Sequence, residues 1–484
     1  MTRHAQTNRT RDQTIRSHYD ALAAQREDWI QRNRFFHEDD LRTMRFLIPE
    51  GKRVLDLGCG SGRLLAELKP SYGVGVDISP GMIAVARENH PHLHFVQGNL
   101  EDPEILEQWS VPFDFIILVD TVGMLHDCTE VFTRLRSLCT SDTRLIVSHY
   151  NWIWEPVLRA GEKLGLKMPS LQENWLSMAE IGALLEFSDY QVVRHERRQL
   201  LPIRLFGLGV LVNLLLAPLP IFRRLCVRYY LVARPVGLEP PEDRTPSATV
   251  VIPCRNEKGN IEAAIQRMPR LCADMEIIFV EGHSQDGTLD EIHRIMKSYP
   301  QWDISVLVQE GQGKADAVYK GFDHARGDVL IILDADLTVP PEELPKFYHA
   351  IASNKGDFII GTRLVYAMEG EAMRPLNRMA NALFSILFTW ILNQRYTDTL
   401  CGTKVLRRRH YQTIKANRHY FGDFDPFGDF DLIFGAIKGH LKMVEIPIHY
   451  ASRAYGETQI SRFRHGILLF RMLFYAYRKI KALV

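Results

Sequence analysis

The chain has 484 residues and a mass of 55.8 kDa, too much for one compact core at roughly 100–200 residues per domain. Hydrophobic residues make up 46% and charged residues 24%, a globular balance that excludes a disordered chain or a bundle of membrane spans. Lys plus Arg number 59 against 58 Asp plus Glu, so no net basic charge recruits nucleic acid, and none is expected as a partner.

The N-terminus, MTRHAQTNRTRDQTIRSHYD, is polar and lacks the apolar stretch of an export signal. RVLDLGCGSGRLLAEL reads as a buried strand, a glycine turn and a helix start. Gly58, Gly60 and Gly62 let a ligand approach the backbone, with the helix N-terminus just beyond. Arg63 stands where a dinucleotide fingerprint needs its third glycine, which argues against NAD. The next strand, YGVGVD, ends in Asp77, whose carboxylate can accept both hydroxyls of a ribose; HFVQGNLED then puts Asn99 at the end of a third strand. FDFIILVD ends at Asp120. His126, His149 and Tyr150 near the following strand ends are candidate bases, although such residues are more often packed or surface side chains.

Three apolar stretches, Leu205–Phe222, Leu383–Leu392 and Ile467–Val484, fall short of about 20 uninterrupted apolar residues, so no span is expected. The first is broken by Gly207, Gly209, Pro218 and Pro220. PVGLEPPEDRTP reads as an extended linker, giving an expected division into 1–235, a Pro-rich linker 236–246, and 247–484. On each side of it, short β-branched runs alternate with helix-length amphipathic stretches, the pattern of a two-domain α/β protein with largely parallel sheets. The seven cysteines lie far apart with no C-x-x-C pair, which argues against zinc or a disulfide framework and fits the cytoplasm.

The second half opens with SATVVIPCRNEKGNI, a buried strand running into a loop with Glu257, and continues with MEIIFVEGHSQDGT. DVLIILDADLTVPP delivers Asp334 and Asp336 together at a strand end, where two carboxylates one residue apart can share a divalent ion with a diphosphate. Asn377, Asn381, Ser385, Thr389 and Asn393 recur every four residues, a narrow polar stripe on an apolar helix over 376–392. The stretch 464–484 forms a second amphipathic helix rich in cations. Both are expected to lie on an anionic membrane surface, with two helices docked on each other as the plainer alternative.

The D-x-G-x-G-x-G form from Asp56 to Gly62, with Asp77 about twenty residues later, resembles the class I S-adenosylmethionine-dependent methyltransferases, which have a Rossmann-like fold. The resemblance implies that Asp56, Gly58, Gly60, Gly62, Asp77 and Asn99 bind S-adenosylmethionine; Asn99 departs from the family's more usual Asp. TVGMLHD follows strand four in place of the D-P-P-Y of amino-group nucleic-acid methyltransferases, which argues against a DNA base.

The series V-I-P-x-x-N-E, D-x-D, Gly361–Arg363, Asp398–Gly402, EIPI and R-x-x-G-E-T from Arg453 resembles family 2 glycosyltransferases of the GT-A fold, nearest to the dolichyl- or polyprenyl-phosphate sugar synthases. It implies that Glu257 and Asp286 line a nucleotide-sugar site, that Asp334 and Asp336 hold Mg²⁺ or Mn²⁺, and that Arg363, Arg453 and Arg462 face phosphates. Glu281-Gly282 replaces the family's aspartate pair, and Gln459 stands where a lysine is common. For a hydroxyl acceptor, Asp429 or Asp431 is the candidate base, a helix start being the structural alternative. The expected protein is a fusion that methylates with S-adenosylmethionine and glycosylates a polyprenyl phosphate, peripheral on the cytoplasmic face of a membrane. Its rivals are a transferase acting on a glycan or soluble hydroxyl, and a methyltransferase fold that serves only as a binding module.

Overall fold

A computed structural model describes residues 3–171, 174–238, 245–366, 375–399, 401–418, 430–451, 453, 455 and 462–482, with the backbone alone at 3–9, 375–380 and 462–466. The chain divides into two compact units, 1–240 and 241–482.

The first unit is built on seven strands: β1 (Arg53–Leu57), β2 (Tyr72–Asp77), β3 (His94–Gln97), β4 (Phe115–Val119), β5 (Arg144–Tyr150), β6 (Tyr190–Arg198) and β7 (Arg228–Pro235). Their order is β3-β2-β1-β4-β5-β7-β6. Strands β1 to β5 run parallel, and β7 is antiparallel to both β5 and β6. The chain leaves β1 toward β2 and β3 and later returns to β1's other side as β4, so the order reverses at β1/β4. A crevice opens at the strand C-termini beside such a reversal. Leu55, Leu57, Val74, Val76, Ile116 and Leu118 form the unit's core, and the central strands read as continuous apolar runs because helices cover both faces.

The second unit has β8 (Ala248–Cys254), β9 (Met275–Glu281), β10 (Asp303–Val308), β11 (Val329–Ile332), β12 (Phe358–Thr362), β13 (Lys404–Arg407) and β14 (Met443–Pro447). They are ordered β10-β9-β8-β11-β13-β12-β14. Here β13 is the antiparallel strand, inserted between β11 and β12. The sheet reverses at β8/β11, which places the loops after β8, β9 and β11 on one edge. Each unit is therefore a mixed α/β sheet, where strand–helix alternation alone suggests a largely parallel one.

The polar N-terminus forms a helix, Arg3–Leu22. The striped segment is also a helix, Pro375–Leu392, but its polar side faces inward. Asn381 donates to Thr397 O at 3.1 Å and accepts from Thr399, while Ser385 and Thr389 donate to Tyr396 O at 3.0 and 3.3 Å. Leu383 and Ile386 are left exposed. Among the described residues, no helix is long and apolar enough to cross a membrane.

Candidate functional site

In the first unit a cavity of about 300 Å³ opens at the β1/β4 reversal, with Gly58, Gly60, Asp77, Asn99, Asp120 and Thr121 in its wall. That volume is at the lower end of the range for small-molecule sites. The three glycines of the turn have φ of 84°, 53° and 74°, a region costly to side-chain-bearing residues. Their reasons differ. A Cβ on Gly58 would lie 2.1 Å from Thr121 Oγ1, and one on Gly62 would lie 2.5 Å from Phe95 Cζ, so both are required by packing. A Cβ on Gly60 would meet nothing within 4 Å, so packing does not require a glycine at this position in the cavity wall.

Asp77 stands beside Gly60 in the same wall. Its Oδ2 accepts from Gly60 N at 2.8 Å and its Oδ1 from Ser79 N at 2.9 Å, which aims the carboxylate along the turn. Burial raises its pKa against those two bonds. Ser79 caps the helix Pro80–Asn89, with Pro80 at the first helical position. Asp56 and Gly62, placed by resemblance at the cofactor, are not part of the cavity wall. Asp56 is buried within β1, and burial followed by the neighbouring Asp77 charge pushes its carboxyl up to about 8. Asn99 does reach the wall, and its side chain donates to Asp12 Oδ2 at 3.0 Å.

That contact comes from the N-terminal helix, whose role is not visible in its polar sequence. Asp12, Ile15 and Tyr19 line the cavity. Asp12 Oδ1 also meets His126 Nε2 at 2.9 Å, and Asp20 Oδ1, two turns on, accepts from Gly81 N at 2.8 Å and Ser79 Oγ at 2.5 Å. Arg26 adds a guanidinium to the wall, in contact with Met168 Sδ at 3.5 Å. His37, also in the wall, is held neutral by burial and by Arg26 and Arg228, its pKa lowered to about 3. Of the three candidate bases, Tyr150 lines the cavity, His126 pairs with Asp12, and His149 is fully buried beside Trp175 and Tyr229 with its pKa lowered by burial. Asp120, at φ 56°, holds the buried Arg228 by two bonds of 2.9 and 3.1 Å.

In the second unit the acidic loops after β8, β9 and β11 meet. Asp334 accepts an ion pair from Lys314 Nζ at 2.6 Å; burial opposes its ionisation, but Lys314, then Lys404 and Arg363, hold the carboxyl below its ordinary range. Asp336 turns Oδ1 to Thr338 N and Oγ1, and Oδ2 to Arg453 Nη2 at 2.5 Å. The other guanidinium nitrogen of Arg453 is 3.8 Å from Glu257 Oε1. Glu257, its pKa raised chiefly by burial, accepts from Asn260 at 2.6 Å. Asp286 accepts from Lys258 N at 3.1 Å and Thr288 N at 3.0 Å, joining the starts of two helices, and Tyr455 OH reaches it at 3.4 Å. Arg453 thus stands between Asp336 and Glu257, Asp286 ties the neighbouring helix starts together, and Lys314, which the sequence did not single out, pairs with Asp334. Glu281 is spent on its own turn, accepting from His283 N and Ser284 N.

Arg363 is placed differently from the expectation that it faces phosphate. Its backbone N, Nε and Nη2 all donate to the fully buried Asp398, at 3.0, 2.7 and 2.7 Å, and its guanidinium lies 4.9 Å from the Tyr450 ring centroid. The fork is consumed by a bidentate carboxylate. The Asp398–Gly402 segment then has two duties: Asp398 fixes Arg363, and Gly402 leaves space that a Cβ would take 2.0 Å from Asp334 Oδ2. Asp431 sits in the first turn of the helix Phe430–Lys438 and accepts from Tyr319 OH at 3.1 Å. Asp429 and the side chain of Arg462 lie outside the described residues.

Residues 29–201 match a family model described as a methyltransferase domain, and residues 249–415 match glycosyl transferase family 2. Among curated proteins, the chain is 30% identical over 240 residues to a dolichol-phosphate mannosyltransferase of Pyrococcus furiosus, covering 48% of this chain and 63% of that protein. Among solved structures, an S-adenosylmethionine-dependent methyltransferase of Thermotoga maritima, a possible histamine N-methyltransferase, aligns over 46% of this chain and 99% of its own at 18% identity and a TM-score of 0.36. Glucosyl-3-phosphoglycerate synthase of Mycobacterium tuberculosis, in complex with Mn²⁺, UDP and glucosyl-3-phosphoglycerate, aligns over 49% of this chain and 80% of its own at 13% identity and a TM-score of 0.36.

Proposed function

We propose that this chain, a methyltransferase domain fused to a family 2 glycosyltransferase domain, moves a sugar from a nucleotide donor onto a polyprenyl phosphate and methylates an acceptor with S-adenosylmethionine. We place the joint between the two enzymes at 236–246, of which 239–244 lie outside the described residues. The observation that carries the glycosyl transfer is the meeting of Glu257, Asp286, Asp334 and Asp336 with Lys314 and Arg453 at the β8/β11 edge. The donor set fits a divalent ion: Asp334 and Asp336 offer hard carboxylate oxygens, and each already has a cation at contact distance.

When bound, Mg²⁺ or Mn²⁺ would be held by Asp334 and Asp336 and would supply charge that stabilises the departing diphosphate. Glu257 and Asp286 would line the nucleotide. Lys314 and Arg453 are positioned to exchange their carboxylates for phosphate oxygens, and arginine's fork suits that geometry. A phosphate monoester is anionic at neutral pH, so the acceptor needs no strong enzyme base. Asp431, bonded to Tyr319, is the described candidate if the acceptor is a hydroxyl.

The polyprenyl-phosphate assignment draws on the named activity of the Pyrococcus furiosus relative and on an apolar surface formed by Leu383, Ile386, Ile467, Phe470 and Phe474, all exposed. We assign that surface to peripheral attachment on the cytoplasmic face of a membrane, which free cysteines fit.

In the first unit, the turn at Gly60 and the carboxylate of Asp77 fit the ribose end of S-adenosylmethionine. That cofactor supplies a methyl group on a good leaving group, so the protein's task is alignment. Incubating the full chain with a labelled nucleotide sugar and polyprenyl phosphate, with and without chelator, tests the main reading. A metal-dependent product in the organic phase is expected. Transfer only to water-soluble glycans would overturn the lipid acceptor.

A further inference from the structure

The stretch Leu205–Phe222, too broken to span a bilayer, lies in the 199–227 connection between β6 and β7. Eleven large apolar side chains between Ile203 and Leu225 are exposed, among them Leu205, Leu208, Leu211, Leu215 and Ile221, and Phe206 is exposed completely, at 107%. Soluble surfaces seldom leave so much contiguous apolar area uncovered.

The exposure is built into the local structure. Asn213 pins the connection by two bonds of 2.9 Å, accepting from Leu201 N and donating to Leu201 O. Gly209 is packed so closely that a Cβ there would sit 1.9 Å from Ile203 O. On the return limb, Asn151 donates to Arg224 O at 3.0 Å and Cys226 O at 2.9 Å, and Trp154 Nε1 donates to Leu225 O at 2.7 Å. Trp152, Ile153 and Val157, flanking Trp154 in sequence, are exposed as well. Backbone groups of Leu201, Arg224, Leu225 and Cys226 are thus bonded within the protein while neighbouring apolar side chains stay exposed.

The charge pattern identifies the occupant. Across 199–227 the sequence contains no Asp or Glu, but three arginines, Arg204, Arg223 and Arg224. Of these, Arg204 and Arg224 are exposed and Arg223 half-buried within the apolar stretch. Apolar insertion flanked by cations matches a bilayer with anionic headgroups. Pro202 and Ile203, at the foot of this surface, also line the cavity, as does Leu158, and Ile203 is itself 54% exposed.

We infer that the 199–227 connection is a membrane-docking element of the methyltransferase unit, inserting Phe206 and its neighbours into an anionic bilayer. On the methyltransferase reading above, it also brings the cavity mouth to that surface, so the methyl acceptor is a bilayer-borne molecule. This surface belongs to the first unit, whereas the one assigned above belongs to the second.

Hydrogen exchange on the full chain distinguishes the two surfaces. Vesicles of phosphatidylcholine with phosphatidylglycerol are expected to slow exchange of peptides over 203–216 by about tenfold, equivalent to ~1.4 kcal/mol, and vesicles of phosphatidylcholine alone by less. The double variant Leu205→Glu/Leu211→Glu, altered only at exposed positions, should lose this protection and keep its affinity for S-adenosylmethionine, which serves as the folding control. Protection confined to 383–391 and 467–476 would overturn the inference while leaving the attachment of the glycosyltransferase unit standing. Protection of 203–216 that rises with protein concentration and needs no vesicles would overturn it too, making a second copy of the chain the occupant.

Discussion

Replacing Gly60 by alanine, beside the same change at Gly62, tests the proposal that the first glycine serves a ligand where the second serves packing. At φ 53° an alanine costs about 1–2 kcal/mol, and because its Cβ would meet nothing within 4 Å, no steric cost adds to it. For a unit of this size that is a fall in Tm of roughly 2–8 °C. Gly62→Ala pays a similar backbone cost and also puts a Cβ 2.5 Å from Phe95 Cζ and 3.2 Å from Ala86 Cβ, overpacking that adds about 1–3 kcal/mol. Gly62→Ala should therefore be the less stable variant. Gly60→Ala should be the weaker binder, because its methyl group stands in the cavity wall beside the carboxylate that Gly60 N holds at 2.8 Å. The assay is calorimetric titration of S-adenosylmethionine, paired with thermal melts read at the transition the cofactor shifts. Gly60→Ala should lose at least about tenfold in affinity, or ~1.4 kcal/mol. Normal affinity in Gly60→Ala, or a Gly62→Ala variant that melts no lower than Gly60→Ala, would refute the reasoning.

Arg453→Gln should strengthen Mn²⁺ binding in the absence of nucleotide, because a charge-assisted bond of about 1.5–3 kcal/mol no longer competes for Asp336 Oδ2. Paramagnetic resonance titration of the full chain reads this, and an unchanged or weaker affinity counts against it. Asp398→Asn should destabilise the second unit by about 3–5 kcal/mol in urea, since it strands the buried Arg363 cation; a loss below about 1 kcal/mol would contradict that role. For Asp56, the folded carboxyl titrates near 8 against 3.8 for the ordinary group, so the folded state retains a proton that the unfolded chain has released. Its contribution to stability must then fall as pH rises from about 4 to about 8. The stability of Asp56→Asn relative to the parent should grow across that window, and parallel pH profiles would exclude the assignment.

What the sequence disclosed follows how far apart the partners lie along the chain. The turn from Asp56 to Gly62 and the strand end at Asp77 are legible because the glycines and the acid sit next to the strands that present them. Likewise, Asp334 and Asp336 stand directly after β11. Arg26 and Asp12, which line the cavity, and Asp20, which bonds the Ser79–Gly81 turn, were not legible, because they come from helices distant in sequence, and polar composition alone does not reveal a covering helix. Lys314 lies in a readable Gly-Lys segment, yet nothing in the spacing says that it pairs with Asp334. Arg363 shows the converse: a motif places it at the site, while the choice between phosphate and Asp398 depends on a contact across 35 positions. Strand direction was also hidden, since β7 and β13 carry the same apolar runs as their parallel neighbours.

Because the helix Pro375–Leu392 commits Asn381, Ser385 and Thr389 to the 396–399 segment, it leaves Leu383 and Ile386 exposed on its outer side. Hydropathy-guided surface redesign would go wrong here in both directions. Asn381→Leu looks harmless on a largely apolar helix, but it removes the amide that bonds Thr397 O and the N–H and hydroxyl of Thr399, one residue to either side of the aspartate that fixes Arg363. Leu383→Lys and Ile386→Glu look disruptive, yet both positions are exposed, and the pair lowers the apolar area of the surface without touching the packed side of the helix.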